Sequence, residues 1–271
     1  MKRIMTLTLL VAFMLGLTAQ SSYAIKTDDP DNPTVSVFKN KGYLFQDDEN
    51  DAKKDRRRSR RRFTPHWSGF EIGMNNYMTS DYSMSLPASI NYMDLNTGKS
   101  FNVNFNCAQL GLGLTRRIGF VTGLGFEINN YHFDGNNNIQ KDEFGVVGIY
   151  DATADGIVLD KTKFTTVYFT VPLLLEIQVP VTRYRTINIA GGVIGGAKLA
   201  SSTKMKYYDN GKEKIKEKDD YSLNVLRYGP TVRIGYESFQ LYATYYMNGL
   251  FKEGKGPELY PLQVGVAFTF D

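Results

Sequence analysis

The side chains able to do covalent chemistry are few. The chain has 271 residues, with two histidines, His66 and His132, and one cysteine, Cys107. A histidine beside a serine is the smallest base–nucleophile pair for acyl transfer, yet no serine is placed beside His132 by sequence. Cys107 has no partner for an internal disulfide framework and is expected as a small buried side chain. Asp134-Gly135-Asn136-Asn137-Asn138 has the start of a calcium loop, but the acidic residue that closes such a loop at its twelfth position falls on Gly145. A plain turn is expected there. The residues offer no catalytic set, metal site or cofactor site, and the expectation is a protein that is not an enzyme.

Charge is placed more deliberately. Glu71, Glu127, Glu176 and Arg233 lie within alternating apolar segments, on the face that carries small or weakly polar residues. A carboxylate is costly on an enclosed face unless it is paired. An ion network around Arg233 is therefore expected, as structural filling rather than as the gate of a small pore. A second feature is the run Arg56, Arg57, Arg58, Arg60, Arg61 and Arg62. It belongs to residues 25–65, which are rich in Asp, Asn, Lys and Arg and read as a flexible charged arm. The run suits anionic lipid head groups or an acidic protein partner, or is only a solvated linker. Net charge is +4, too mild to argue for nucleic acid.

The elements that hold these residues have a period of two. In the last segment Leu262, Val264, Val266, Phe268 and Phe270 share one face, and Gln263, Gly265, Ala267 and Thr269 the other. Residues 118–131 and 167–178 repeat the pattern, with Pro172 suggesting a bulge because it cannot donate to a ladder. About eight such segments fall near 66–77, 100–115, 118–133, 163–179, 185–200, 221–236, 239–250 and 259–270. Their bulky face is apolar and their other face small and polar, which suits lipid outside and a crowded lumen inside. The expected fold is all-β, a closed up-and-down antiparallel transmembrane barrel of about eight strands, rather than a soluble all-β protein. Mean hydropathy of −0.32 does not oppose this, since only alternate residues face lipid.

Ends and loops complete the reading. Lys2, Arg3 and the apolar residues 4–17 precede Ser22-Tyr23-Ala24, the pattern of a signal peptide spanning 1–24. Residues 25–65 form the arm and 66–271 the barrel. Long links at 78–99, 134–162 and 201–220 alternate with short ones, so both termini are expected in the periplasm. Asn210-Gly211 signals a hairpin turn, extending the fifth and sixth strands beyond the membrane into an edge that either pairs with a partner strand or blocks pairing. Aromatic girdles are expected from Trp67, Phe120, Tyr184, Tyr236, Phe239 and Phe270 at the periplasmic edge. Tyr77, Tyr131, Phe164 and Tyr260 are expected at the outer edge.

His66-Trp67-Ser68-Gly69-Phe70-Glu71-Ile72-Gly73 after a charged arm, with the closing Val266-Ala267-Phe268-Thr269-Phe270, resembles the PorT-like, porin-family outer-membrane β-barrel proteins of Gram-negative bacteria over roughly residues 63–271. Asp271 departs from the aromatic last residue usual in such barrels. The resemblance implies an outer-membrane location, contact with outer-membrane lipids, and recognition of the last strand by barrel-assembly machinery. It also implies a structural, surface-interaction or secretion-component role with a periplasmic or surface protein partner. A passive pore and a lipid A-modifying enzyme are the alternatives. The resemblance carries over no catalytic residue.

Overall fold

The computed structural model describes residues 35–36, 63–135, 137–151, 159–182, 185–208 and 212–270. The expected signal peptide, the run from Arg56 to Arg62, Tyr184 and Asn210-Gly211 lie outside the described residues.

The period-two segments form strands β1 (Gly69–Met78), β2 (Phe101–Gly113), β3 (Ile118–His132), β4 (Leu159–Pro180), β5 (Thr186–Tyr208), β6 (Leu226–Tyr236), β7 (Phe239–Tyr245) and β8 (Tyr260–Thr269). Each pairs antiparallel with its neighbours in the chain, and β8 returns to β1, with Tyr260 opposite Met78 and Thr269 opposite Gly69. The sheet has ten strands. Two of them, Val35–Ser36 beside β2 and Lys212–Glu217 beside β5, lie off the ring, leaving eight that close it. Closure removes the free edges that a membrane cannot solvate.

Alternation sorts the two faces. On β6, Leu226, Tyr228, Val232 and Ile234 are exposed outward while Arg227, Thr231 and Arg233 are buried inward. On β4, Val171, Leu173, Leu175 and Ile177 point out. An apolar wall this continuous has only one compatible solvent, hydrocarbon. Strands β4 and β5 have 22 and 23 residues, about twice what a tilted strand needs to cross, so their ends at the long-loop side project beyond the membrane.

Two local expectations are corrected. Pro172 stays in register opposite Ile194, without a bulge. On its other side the pairing with β3 passes from Thr122–Leu173 to Gly125–Thr170, so the missing N–H coincides with a gap in the ladder. Thr122 Oγ1 donates to the Pro172 carbonyl at 2.7 Å. The bulges lie elsewhere, between Asn106 and Ala108 on β2, near Leu199 on β5, and between Leu159 and Lys161 on β4. Cys107 is the extra residue of the first and is exposed, not buried, because it falls on the outward face with Phe101, Val103 and Phe105 while Asn102, Asn104 and Asn106 point inward.

The two ends of the barrel are closed differently. At the long-loop end, twelve buried apolar side chains form a cap core, among them Tyr77, Met93, Tyr131, Phe164, Leu223 and Leu259. The hairpin Asn137–Lys141/Val147–Asp151 and the 3-10 helix Ala88–Met93 fold over it. Lys141 Nζ ties the hairpin to Asp219 and Asp220 at 2.6 and 2.7 Å. At the short-turn end, residues 63–68 do not begin β1 but enter the lumen.

Four girdle assignments are overturned here. Trp67, Tyr77 and Tyr131 are each 1% exposed, the first inside the lumen and the others under the cap. Phe164, at 0%, joins them. Phe120, Tyr236, Phe239 and Phe270 do face outward at the short-turn end. At the other end Tyr260 is joined by Tyr245 and Tyr82, whose rings lie tilted against one another with centroids 6.5 and 6.2 Å apart along the row of three.

Candidate functional site

Among the described residues the lumen is where charge, aromatic rings and amides are concentrated away from water. Strand parity builds it: Glu71 on β1, Asn102, Asn104 and Asn106 on β2, Glu127 on β3, Glu176 on β4, Arg227 and Arg233 on β6 all point inward and are buried. Each carboxylate must find a partner, because an isolated buried charge costs several kcal/mol.

The expected single network around Arg233 is in fact three separate pairs. Arg233 Nη1 lies 2.6 Å from Glu71 Oε1. Asn104 and Asn106 amides donate to the same carboxylate at 2.7 and 2.5 Å. Glu127 pairs instead with Arg227, a residue that sequence reasoning missed. Its other oxygen accepts from Tyr246 Oη at 2.7 Å, and Asn129 and Gln263 amides complete its shell. Glu176 belongs to neither arginine; His66 Nδ1 stands 2.7 Å from its Oε1.

Both arginines are held by rings as well as by charge. Arg227 is sandwiched between Tyr168 and Tyr246, at 3.6 and 4.0 Å from their centroids. None of its guanidinium nitrogens has an aligned hydrogen-bond acceptor among the described residues, so ion contact and stacking hold it. Arg233 stacks on Trp67 at 4.3 Å, with Tyr242 on its other side at 5.4 Å.

Trp67 belongs to the plug. Its backbone N–H and that of Ser68 donate to Gln109 Oε1 at 2.7 and 2.9 Å. The His66 N–H reaches Glu176 at 3.1 Å, and Gln240 donates to the His66 carbonyl at 3.1 Å. Glycines make the room. A Cβ at Gly123 would stand 2.5 Å from Trp67 Cδ1, and one at Gly119 2.7 Å from Phe63. The expected boundary between arm and barrel at residues 65 and 66 therefore falls inside a segment that is packed as one piece.

His132 lies at the outer end of β3, outside the lumen. Ser100 is its neighbour after all, but the hydroxyl bonds the His132 backbone: the N–H donates to Ser100 Oγ at 2.9 Å. Among the described residues no hydroxyl is hydrogen-bonded to the His132 ring. Burial, then Lys163, Lys99 and Lys161, push its imidazole below the usual value.

A polar interior stapled by ion pairs, an apolar wall and strands closed on themselves define a membrane-spanning β-barrel, plugged at one end and capped at the other. The sequence matches the model of the outer membrane protein beta-barrel domain over residues 65–253, and the chain belongs to that family of outer-membrane proteins. The match opens within the plug and ends before β8. No curated protein sequence matches the chain. Among solved structures it is similar to Ail, the attachment invasion locus protein of Yersinia pestis, at 12% identity over 76% of this chain and all of that one. The TM-score is 0.30, and the fold assignment rests on the strand pairing instead.

Proposed function

We propose that the protein is a non-conducting, non-enzymatic component of the outer membrane that acts by presenting its folded outer cap to a surface partner or to a secretion or assembly apparatus. The observation that carries this reading is the double closure. An eight-stranded barrel is about wide enough for its own side chains, and this one adds residues 63–68 at one mouth and a twelve-residue apolar core at the other. A cap with its own core is a shaped, rigid surface, more than loops need for solubility. The PorT-like sequence pattern favours the apparatus role, with export through the signal peptide and insertion by barrel-assembly machinery.

Planar-bilayer recording of the purified protein tests the closure: no steady conductance steps are expected. Reproducible unit steps from folded protein would overturn it. Unchanged lipid A mass spectra after deletion and after His132→Ala are the matching expectation for chemistry.

A further inference from the structure

The projecting ends of β4 and β5 carry a pattern that neither the lumen nor the cap uses. Along the outward face, successive cross-strand rows change character. Ile128, Val167 and Ala200 form an apolar row. Next come Asn130, Thr165 and Ser202, polar and uncharged. Above them lie His132, Lys163, Lys204 and Lys216, directly opposite one another on four adjacent strands. A last row holds Lys161, Lys206 and Lys214.

Six lysines thus stand in two rows of three. Strands are about 4.8 Å apart and alternate residues about 6.8 Å along each strand, so the ammonium groups share one small patch. Like charges directly opposite each other are destabilising, and here four Lys–Lys pairs are opposed. Among the described residues none of the six is in an ion pair; Lys163 only donates to Asn130 Oδ1 at 3.0 Å, beside Thr165 at 3.1 Å. The repulsion registers in the chemistry of the patch. Lys163 is held below the usual lysine range by partial burial, then by Lys204, Lys216 and Lys206.

Protection of a sheet edge accounts for Lys214 and Lys216, on the outermost strand. It does not account for Lys204 and Lys206, which are flanked by strands on both sides. We infer that this lysine grid is a binding site for the phosphate groups of an anionic glycolipid in the outer leaflet. The gradient commits the occupant: acyl chains lie along Val167 and the apolar wall, the sugar faces the Asn130–Thr165–Ser202 row, and the phosphates reach the lysines. A soluble polyanion would need the cations but not the apolar and hydroxyl rows beneath them.

The inference rests on the membrane placement above. The full chain, folded in zwitterionic detergent, is titrated with diphosphoryl lipid A or dephosphorylated lipid A, and retained lipid is counted by native mass spectrometry. Each lysine near an anionic surface contributes about a fivefold factor, so K163Q/K204Q/K216Q is expected to bind diphosphoryl lipid A on the order of 100-fold more weakly. K252Q/K255Q, on the cap, is expected to bind as the parent does. Heat-modifiable migration verifies that each variant is folded; should the triple variant not fold, K204Q alone is expected to lose about fivefold. Equal retention of both lipids, or parent-like binding by the folded lysine variants, overturns the inference. So does full displacement by equimolar inorganic phosphate, or tighter binding of a heparin fragment than of lipid A. Membrane fractionation of the same variants separates these results from a failure of the outer-membrane placement itself.

Discussion

Removing Arg233 should do far more damage than removing its whole ion pair. Arg233→Met leaves Glu71 as a charge that is 2% exposed, with only the Asn104 and Asn106 amides to hold it. Breaking a buried pair from one side costs about 3–5 kcal/mol. Stacking on Trp67 and Tyr242 contributes about 1–2 kcal/mol more, and the two amide donors offset part of the total. The expected loss is about 4 kcal/mol. The double variant E71L/R233M removes both charges and fills much of the space with apolar atoms, so it should lose only about 1 kcal/mol. The implied coupling of the two sites is well above the ~0.5 kcal/mol seen for independent positions. Equilibrium urea unfolding from phosphatidylcholine vesicles measures both. Trp67 is the only tryptophan of the chain and reports from beside the pair. A loss below about 1 kcal/mol for Arg233→Met, or a double variant as unstable as the sum of the two singles, would refute the argument.

Gly111→Leu should evict the plug and spare the barrel, since a Cβ there stands 2.9 Å from Pro65 Cδ and Cγ. The expected result is red-shifted, quencher-accessible Trp67 emission with heat-modifiable migration intact; unchanged emission would contradict the packing. Asp220 is held down to about 2, by the Lys141 ammonium first and then the Ser222 N–H. Its folded value lies below the ~3.9 of an unfolded aspartate, so its stabilisation is complete above about pH 4 and is lost as pH falls through about 2. Hydrogen exchange should show the cap hairpin losing protection in that window while β6 and β7 keep theirs. His132 should titrate below its ordinary value by NMR, and Lys163→Gln should move its midpoint upward by relieving one of the charges that depress it.

The strand pattern was legible because lipid and lumen impose opposite demands on alternate residues. The last segment, from Leu262 to Phe270, shows this directly, and β8 covers most of it. Some of what was misread was also legible. Tyr77 lies six residues from Glu71 and Tyr131 four from Glu127, so parity places all four on the inner face, and position outweighs the interfacial preference of an aromatic ring. Arg227 is likewise an even step from Arg233 on the same strand, and its parity marks it as the missing partner for Glu127. The plug was not legible. Trp67 lies four residues from Glu71, so the alternation of β1 turns its ring inward, but the burial of His66 and Ser68 beside it breaks that alternation, and the glycine holes at 111 and 119 that receive Pro65 and Phe63 lie far along the chain. The lysine grid needs the register of three strands, including Lys212–Glu217, which returns along β5 rather than leading straight into β6. Extending β5 to Tyr208 was hinted at by Asn210-Gly211, but the pairing that places Lys204 between Lys163 and Lys216 is a property of the sheet.

The plug also bears on how such a barrel comes to exist. Residues 64–68 are bonded to Gln109 on β2, to Glu176 and Gln178 on β4 and to Gln240 on β7, and Trp67 lies on Arg233 of β6. Of these strands only β6 and β7 are neighbours, so no single hairpin can satisfy the segment by itself. A sheet that zipped up strand by strand would gain only the Gln109 contacts from its first hairpin, and the contacts to β4, β6 and β7 when its curl was nearly complete. The segment just before the first strand thus acts as a clasp. It favours the closed ring over every open intermediate, and it ties the seam between β8 and β1 to strands on the far side of the lumen.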